Sequence, residues 1–316
     1  MNRPLLMGSA LVVGAAALFG TLGFVSRSAD AGGMGALPFV AWRAGLATVS
    51  LLAFSVLVGG RRHPRLPSLR LLSRRQALLL GAACLAGAVL NIAIFAAFLR
   101  TTIAVALICF YTFPAIVTLA AVPLYGERLD RAKVTALLLS SAGLLLVVLA
   151  PSLVAGELEI DGLGVSLALF AAVCQAAFIL VAGRGFAPLP SLHVATYVVA
   201  AAVVVSVALI VLAGDLAGLV RPVVDGRLWP WILAGGITGA AIPTTAFLAG
   251  IGLIGPSRAA ILMTIEPLVG VALAGLLLGE TPVPLQLVGG AAVLAAVVML
   301  QASPGAAPEE ADARLV

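Results

Sequence analysis

The chain has 316 residues, of which 62% are hydrophobic and 10% charged, and its formal net charge is +5. Its mean hydropathy is +1.20, whereas soluble domains are only about 45–50% apolar. This composition excludes an ordinary soluble domain and indicates a protein embedded in lipid. Membrane topology and anionic lipid headgroups account for the positive charge, so nucleic acid is not an expected partner.

Ten apolar runs, each long enough to cross about 30 Å of hydrocarbon, follow one another along the chain. Apolar residues cover every face of these runs, whereas a membrane strand would alternate in polarity. The sequence therefore predicts an all-α polytopic membrane protein with ten transmembrane helices. The predicted spans begin near residues 6, 36, 77, 102, 132, 162, 192, 229, 257 and 283.

The distribution of arginine predicts the orientation of the spans, because short loops rich in Lys and Arg stay in the cytoplasm. The loop "RRHPRLPSLRLLSRRQ" after the second span is strongly basic, and the linker "GELEIDG" after the fifth span is acidic. We therefore expect a multi-pass protein of the bacterial cytoplasmic (inner) membrane with both termini in the cytoplasm. The tail 303–316 is rich in Ala, Pro and acidic residues and is predicted to be disordered.

Two runs of similar sequence indicate an internal duplication. "FPAIVTLAAVPLYGE" at 113–127 returns 153 residues later as "EPLVGVALAGLLLGE" at 266–280. The same shift matches the first five spans to the last five. The predicted units are a first repeat at 1–150, an external linker at 151–161 and a second repeat at 162–302. Because five is odd, the two repeats are inverted, an arrangement typical of secondary transporters with a central cavity near the midplane.

The segment "FVAWRAGLA" at 39–47 lies in the second predicted span. Together with the paired "P…LYGE" and "EP…LLLGE" runs and the duplicated layout, it resembles the EamA family of the drug/metabolite transporter superfamily. The resemblance covers residues 5–302 and implies a ten-helix basket with a central cavity for secondary transport, often outward. Family members with these motifs are associated with export of amino acids, other metabolites or toxic compounds. Leu18 and Phe19 stand where the family commonly has a Trp before Gly20.

Glu266 lies close to mid-depth in the ninth span. A charge at the bilayer centre costs roughly 2.5–3.5 kcal/mol, so this side chain should face a cavity or a partner. One hypothesis is that Glu266 couples protons to transport or binds a cationic group of the substrate, since burial favours the neutral form of a carboxyl group. The other is structural: the carboxyl group holds a neighbouring helix beside the hydrogen bond lost at Pro267.

Further polar residues within the spans are candidates for substrate binding or coupling. Amide side chains can bind a carboxylate or an amide of a small metabolite, and hydrogen bonding between helices is the alternative. The Trp-Arg pair of the second span is either an interfacial Trp with a snorkelling Arg or a site for an anionic group. The candidates are Asn91, Gln175, Tyr111, Thr245, Trp42 and Arg43.

The repeated motif also predicts helix interruptions and helix caps. Pro114 and Pro267 correspond to each other, and matched interruptions in two halves of a transporter point to the binding region. Glu127 and Glu280 follow their spans directly and are predicted to cap the next helix, with a coupling role as the alternative.

Neither a metal site nor a cofactor is expected. His63 and His193 show no HExxH spacing, Cys84, Cys109 and Cys174 form no CxxC pair, and no phosphate-binding loop occurs. Without such a constellation or paired carboxylates, the protein is not predicted to be an enzyme.

The sequence therefore predicts a secondary transporter, foremost an exporter of small metabolites such as amino acids that works by alternating access. Protons are the candidate coupling ion. The alternatives are a broad-specificity drug efflux pump or an importer of the same fold, and a non-transporting membrane scaffold. The expected partners are a small-molecule substrate and membrane lipids, and the expected assembly is a monomer or a homodimer.

Overall fold

The computed structural model describes residues 3–58, 69, 72–98, 100–156, 160–184, 186, 189–279 and 281–302. Over these residues the secondary structure consists of helices joined by short turns and loops and contains no strand. The helices of the first half are α1 Arg3–Gly20, α2 Leu22–Ala31, α3 Ala36–Val58, α4 Arg74–Phe98, α5 Ile103–Phe110, α6 Phe113–Tyr125 and α7 Arg131–Ala155.

The described residues of the second half continue the all-helical structure and contain three short non-α segments. These are 3-10 turns at Gly226–Leu228 and Met263–Ile265 and a π-helical turn at Ile237–Ala241. The α-helices are α8 Gly162–Gly183, α9 Ser191–Ala213, α10 Leu216–Val224, α11 Trp229–Gly236, α12 Ile242–Ile254, α13 Pro256–Leu262, α14 Glu266–Leu278 and α15 Pro284–Ala302.

Ten of the resulting helical stretches are long and apolar enough to cross a membrane, which confirms the predicted number of spans. They are numbered here as spans one to ten. Their bounds are Arg3–Ala31, Ala36–Leu57, Arg74–Phe98, Ile103–Tyr125, Arg131–Ala155, Gly162–Gly183, Ser191–Ala213, Gly226–Ile254, Pro256–Leu277 and Pro284–Ala302.

The connection between the repeats differs from the expected one at its start. The predicted linker 151–161 begins as helix, because α7 continues through Pro151 to Ala155. A proline removes only one backbone donor, and α7 ends soon afterwards at Ala155, followed by Gly156, whose φ of 72° is left-handed. The tail 303–316, Glu280 and most of the arginine-rich loop lie outside the described residues.

The two repeats interlock, since spans of one repeat pack on spans of the other. Span one packs on span eight, span three on span six, span two on span seven, span four on span nine and span five on span ten. Exchanging the repeats turns the first of these pairs into the second and maps each of the last three onto itself. This pairing is what a two-fold relation between inverted repeats requires, and it leaves a central space between the helices.

Glycines allow the closest of these contacts. A Cβ on Gly143 in α7 would lie 2.6 Å from the carbonyl oxygen of Gly289 in α15. Spans one and eight approach in the same way, and a Cβ on Gly250 would lie 3.0 Å from the carbonyl oxygen of Gly8. Small residues at such crossings let helix backbones pack directly, which substitutes for a hydrophobic driving force in lipid.

Replacing Gly143 should therefore weaken the contact between spans five and ten. We expect Gly143→Ala to lower the melting temperature of the detergent-solubilised protein, since overpacking costs about 1–3 kcal/mol. Gly81→Ala is the matched control, because a Cβ at Gly81 would meet nothing within 4 Å. Equal melting temperatures for the two variants would contradict the proposed backbone contact.

Candidate functional site

Two spans are interrupted at corresponding places in the repeats. In span four, α5 ends at Phe110 and α6 begins at Phe113. In span nine, a 3-10 turn separates α13 from α14, which begins at Glu266. Pro114 and Pro267 are each the second residue of the helix that follows, a position where the missing N–H leaves no donor unsatisfied.

The two interruptions bring Tyr111 and Glu266 together. The Tyr111 hydroxyl and the Glu266 carboxyl group lie close enough to interact. Tyr111 is only 6% exposed, and Glu266 is half-buried. Glu266 also occupies the first turn of α14, where the helix dipole favours a negative charge.

Arg43 and Asn91 form a second polar pair, between spans two and three. Arg43 Nη2 donates to Asn91 Oδ1 at 3.4 Å, and Nη1 donates to the carbonyl oxygen of Gly239 at 3.5 Å. Asn91 Nδ2 in turn donates to the carbonyl oxygen of Gly87 at 2.7 Å, which fixes the amide orientation. The two bonds from Arg43 are at the long end of the hydrogen-bond range and go to neutral oxygens. These partners therefore do not neutralise the guanidinium charge, and further N–H donors remain for a ligand.

Both polar pairs line one cavity of about 810 Å³ between the repeats. Phenylalanine rings from both repeats, among them Phe19, Phe178 and Phe247, form much of the remaining wall. The cavity is thus mainly apolar with a few polar groups at mid-depth, which is the usual composition of a small-molecule site. Of the predicted site residues, those that line it are Arg43, Asn91, Tyr111, Gln175, Glu266 and Pro267.

The cavity extends from mid-depth to one face of the bundle, which we call the open face. Arg27, Ser152 and Gln286, all at span ends on this face, belong to its wall. At the opposite end, which we call the closed face, Lys133 forms an ion pair with Glu127 and Arg258 is buried, and none of these three side chains lines the cavity.

Three predicted site residues lie elsewhere within the described part of the chain. The Thr245 hydroxyl donates to the carbonyl oxygen of Ala241 in its own helix at 2.8 Å, and the adjacent Thr244 lines the cavity instead. Pro114 is buried behind the cavity wall. Trp42 packs at the open-face end of span two, as the next paragraph describes.

The Trp42 side chain takes part in a small aromatic cluster. Its Nε1 donates to the carbonyl oxygen of Leu219 at 3.0 Å, and its ring lies edge-on to Trp229 with centroids 5.5 Å apart. It also packs beside a buried cluster that includes Met34 and Ile232. The two residues of the Trp-Arg pair therefore have different positions. Trp42 anchors α10, while its neighbour Arg43 faces the cavity.

The structure also places in the cavity wall residues that the sequence did not single out for it. Gln286 is the clearest example, since it corresponds to Lys133 under the shift of 153 residues. A residue-by-residue comparison of the two repeats would have identified this polar position. Phe19 stands beside the position where the family commonly has a Trp, which is a signal for an aromatic residue there. For Arg27 the sequence carries no equivalent signal, because its facing depends on how α2 is rotated.

The prediction that Glu127 caps the next helix is wrong. The capping residue of α7 is Asp130, whose Oδ1 accepts a hydrogen bond from the Lys133 N–H at 2.7 Å. Glu127 instead forms an ion pair with Lys133 Nζ at 2.7 Å. The geometry that the two copies of the motif share lies in their glycines. Gly126 and Gly279 each end a helix, and both have a left-handed φ, of 65° and 69°.

Comparison with known proteins places the chain in a family. The family model described as "EamA-like transporter family" matches residues 6–149 and again 162–301. One solved crystal structure shares the fold, with a TM-score of 0.74 and 19% sequence identity over 92% of this chain and 95% of that chain. A search of curated proteins found no match. The chain thus belongs to the EamA-like transporter family, as a multi-pass membrane transporter of the drug/metabolite transporter type.

Proposed function

We propose that the protein is a secondary transporter that exports small metabolites such as amino acids by alternating access. The single observation that carries this proposal is the cavity at mid-depth. It opens to one face and holds a carboxyl group from one repeat and a guanidinium from the other. A site at the interface of inverted repeats is where rocking of the repeats alternately exposes a substrate to the two sides.

The orientation follows from the charge of the loops. The basic residues Arg74 and Arg75 begin span three at the closed face, and short basic loops stay in the cytoplasm. The open face is then the outer one, and both termini lie in the cytoplasm. In this orientation the structure corresponds to an outward-open state, from which an exporter has just released its substrate.

The polar pairs support a substrate that carries both charges. Arg43 and Asn91 offer donors for a carboxylate, and charge-assisted hydrogen bonds of this kind contribute about 1.5–3 kcal/mol. Glu266 with Tyr111 offers an acceptor for an ammonium group, and the phenylalanine rings accept an apolar side chain. A cavity of 810 Å³ has room for such a molecule.

Glu266 is also the proposed site of proton coupling. It is the acidic side chain among the described residues of the cavity wall, and it lies beside the Tyr111 hydroxyl, with Arg43 in the same cavity. In each transport cycle the Glu266 carboxyl group would release its proton when it binds the substrate ammonium group and take up a proton when the substrate leaves. In a facilitator, which transports without proton coupling, Glu266 would serve only to bind the substrate.

The rival function is a broad-specificity drug efflux pump, which the apolar cavity wall favours. An importer of the same fold would use the same site with the opposite net direction. A scaffold without transport would have no need for two polar pairs at mid-depth, where each polar group is costly.

Flux in proteoliposomes tests the proposal. We expect purified protein to move at least one amino acid several-fold faster than protein-free liposomes, with lipophilic cations moving no faster than the background. Preferential transport of lipophilic cations would instead support the efflux pump. If amino acids, other metabolites and cations all moved no faster than in protein-free liposomes, the result would support a scaffold without transport.

Glu266→Gln should abolish the response of transport to a pH gradient, because an amide cannot carry the proton. We also expect its flux to fall about tenfold or more, since about 1.4 kcal/mol of lost interaction corresponds to a factor of ten. The measurement is initial flux with and without an imposed gradient. Thr245→Val is the control and should match the parent protein, because Thr245 bonds only within its own helix. If Glu266→Gln showed unchanged flux and an unchanged gradient response, Glu266 would have only a structural role in helix packing.

A further inference from the structure

Spans four and nine correspond to each other residue for residue. The helices α6 Phe113–Tyr125 and α14 Glu266–Leu278 have the same length, and the shift of 153 residues superposes their first and last residues. The helices α5 and α13 also begin at equivalent residues, Ile103 and Pro256. Each residue of span four therefore has a defined counterpart in span nine.

The middle of the cavity is lined by such counterparts from both repeats. Asn91 corresponds to Thr244, and both side chains belong to its wall. The same holds for Phe113 and Glu266. This arrangement is expected near the axis that relates inverted repeats, because equivalent residues there face the same space.

Toward the open face, the cavity wall contains residues whose counterparts are buried at the closed face. Ala104 in α5 and Val271 in α14 line the cavity. Their counterparts are Ser257 in α13 and Thr118 in α6, and neither of these lines it. Ser257 is 0% exposed and Thr118 is 1% exposed. At both positions the residue is apolar where the cavity is open and carries a hydroxyl group where the bundle is closed.

The Ser257 and Thr118 hydroxyls have no hydrogen-bond partner within the part of the chain that the structure describes. Other buried hydroxyls of the spans bond to their own helix. Thr264 Oγ1, for example, donates to the carbonyl oxygen of Ile261 at 2.7 Å. An unpaired buried hydroxyl costs free energy, because its hydrogen bonds to water are lost and not replaced. Apolar side chains such as those of the two counterparts would pack here without this cost.

We propose that Ser257 and Thr118 line the path by which the substrate enters the cavity from the cytoplasm. Alternating access exchanges the environments of the two repeats. In the inward-open state, Ser257 and Thr118 therefore take the positions beside the cavity that Ala104 and Val271 hold in this structure. There the two hydroxyls hydrogen-bond to water and to polar groups of the entering metabolite. The inference rests on the alternating access and the orientation given in the proposed function.

Cysteine accessibility tests this entry path, because cysteine is close to serine in size. The reporter is Ser257→Cys, in a protein whose native Cys84, Cys109 and Cys174 are replaced by Ala. Labelling by a membrane-impermeant maleimide is followed from the outer side in intact cells and from the cytoplasmic side in inside-out vesicles. Thr118→Cys is a second, independent reporter in the same background.

Two matched variants serve as references for the labelling rates. Ala104→Cys carries the thiol at the counterpart of Ser257 and should be labelled from the outer side, since Ala104 lines the open cavity. Ser140→Cys is the buried control, because Ser140 is also 0% exposed. Neither Ser140 nor its counterpart Val293 lines the cavity, so this thiol should stay buried in both states.

We expect Ser257→Cys and Thr118→Cys to be labelled from the cytoplasmic side at least about tenfold faster than Ser140→Cys, because they are reached through the inward-open population. From the outer side neither reporter should be labelled faster than Ser140→Cys. A reporter with the melting temperature of the parent that is labelled from the cytoplasmic side no faster than Ser140→Cys overturns the entry path. Thr118→Cys decides the question if Ser257→Cys fails to fold.

The entry path and the transport function fail separately, because labelling requires no substrate. Unlabelled reporters in a protein with measurable flux overturn the entry path alone. Labelled reporters in a protein without flux for any substrate support the path and overturn the transport function.

Discussion

The absence of water in the bilayer core is the constraint on which the structure depends. Every backbone N–H and C=O there must find a partner, so a helix can be interrupted only where it is enclosed by protein or lines a cavity. Spans four and nine are interrupted at corresponding positions, and both interruptions lie beside the central cavity. Side chains next to these breaks, Tyr111 and Glu266, are consequently two of the polar groups at mid-depth in the cavity.

Because the structure consists of two inverted repeats, the interrupted span occurs twice, and groups from both repeats line the same cavity. Each repeat contributes one interrupted span, and the pairing of spans across the repeats keeps the interruptions together. Arg43 comes from the first repeat and Glu266 from the second. In the proposed alternating access, relative motion of the repeats therefore changes how both groups face a bound substrate.

Much of this arrangement could be predicted from the sequence. Hydropathy gave the spans, since each is apolar on all faces, and the motif pair with Pro114 and Pro267 gave the repeat and the interruptions. Side-chain facing could not be predicted, because a helix that is apolar all round carries no periodic signal. This is why the sequence did not show that the Thr245 hydroxyl bonds to its own helix, or that Arg43 faces the cavity and Trp42 does not.

The error at Glu127 has a different cause. Spacing alone placed an acid before the next helix, but capping requires the side chain to reach an N–H of the first turn, and Asp130 is closer along the chain. The ion pair with Lys133 depends on the turn at Gly126, which reverses the chain after span four. Such contacts between residues on either side of a turn follow from backbone geometry that composition does not encode.

The central claim is that the polar pairs at mid-depth bind the substrate. The most direct test is a thermal-shift screen of purified protein against amino acids, other metabolites and cationic drugs, repeated with Arg43→Gln and Trp42→Phe. A ligand at about 100 times its Kd adds about 2.7 kcal/mol to the stability of the folded state. The account predicts that a carboxylate-bearing ligand raises the melting temperature of the parent protein and of Trp42→Phe but not that of Arg43→Gln. An equal shift in all three proteins would contradict it.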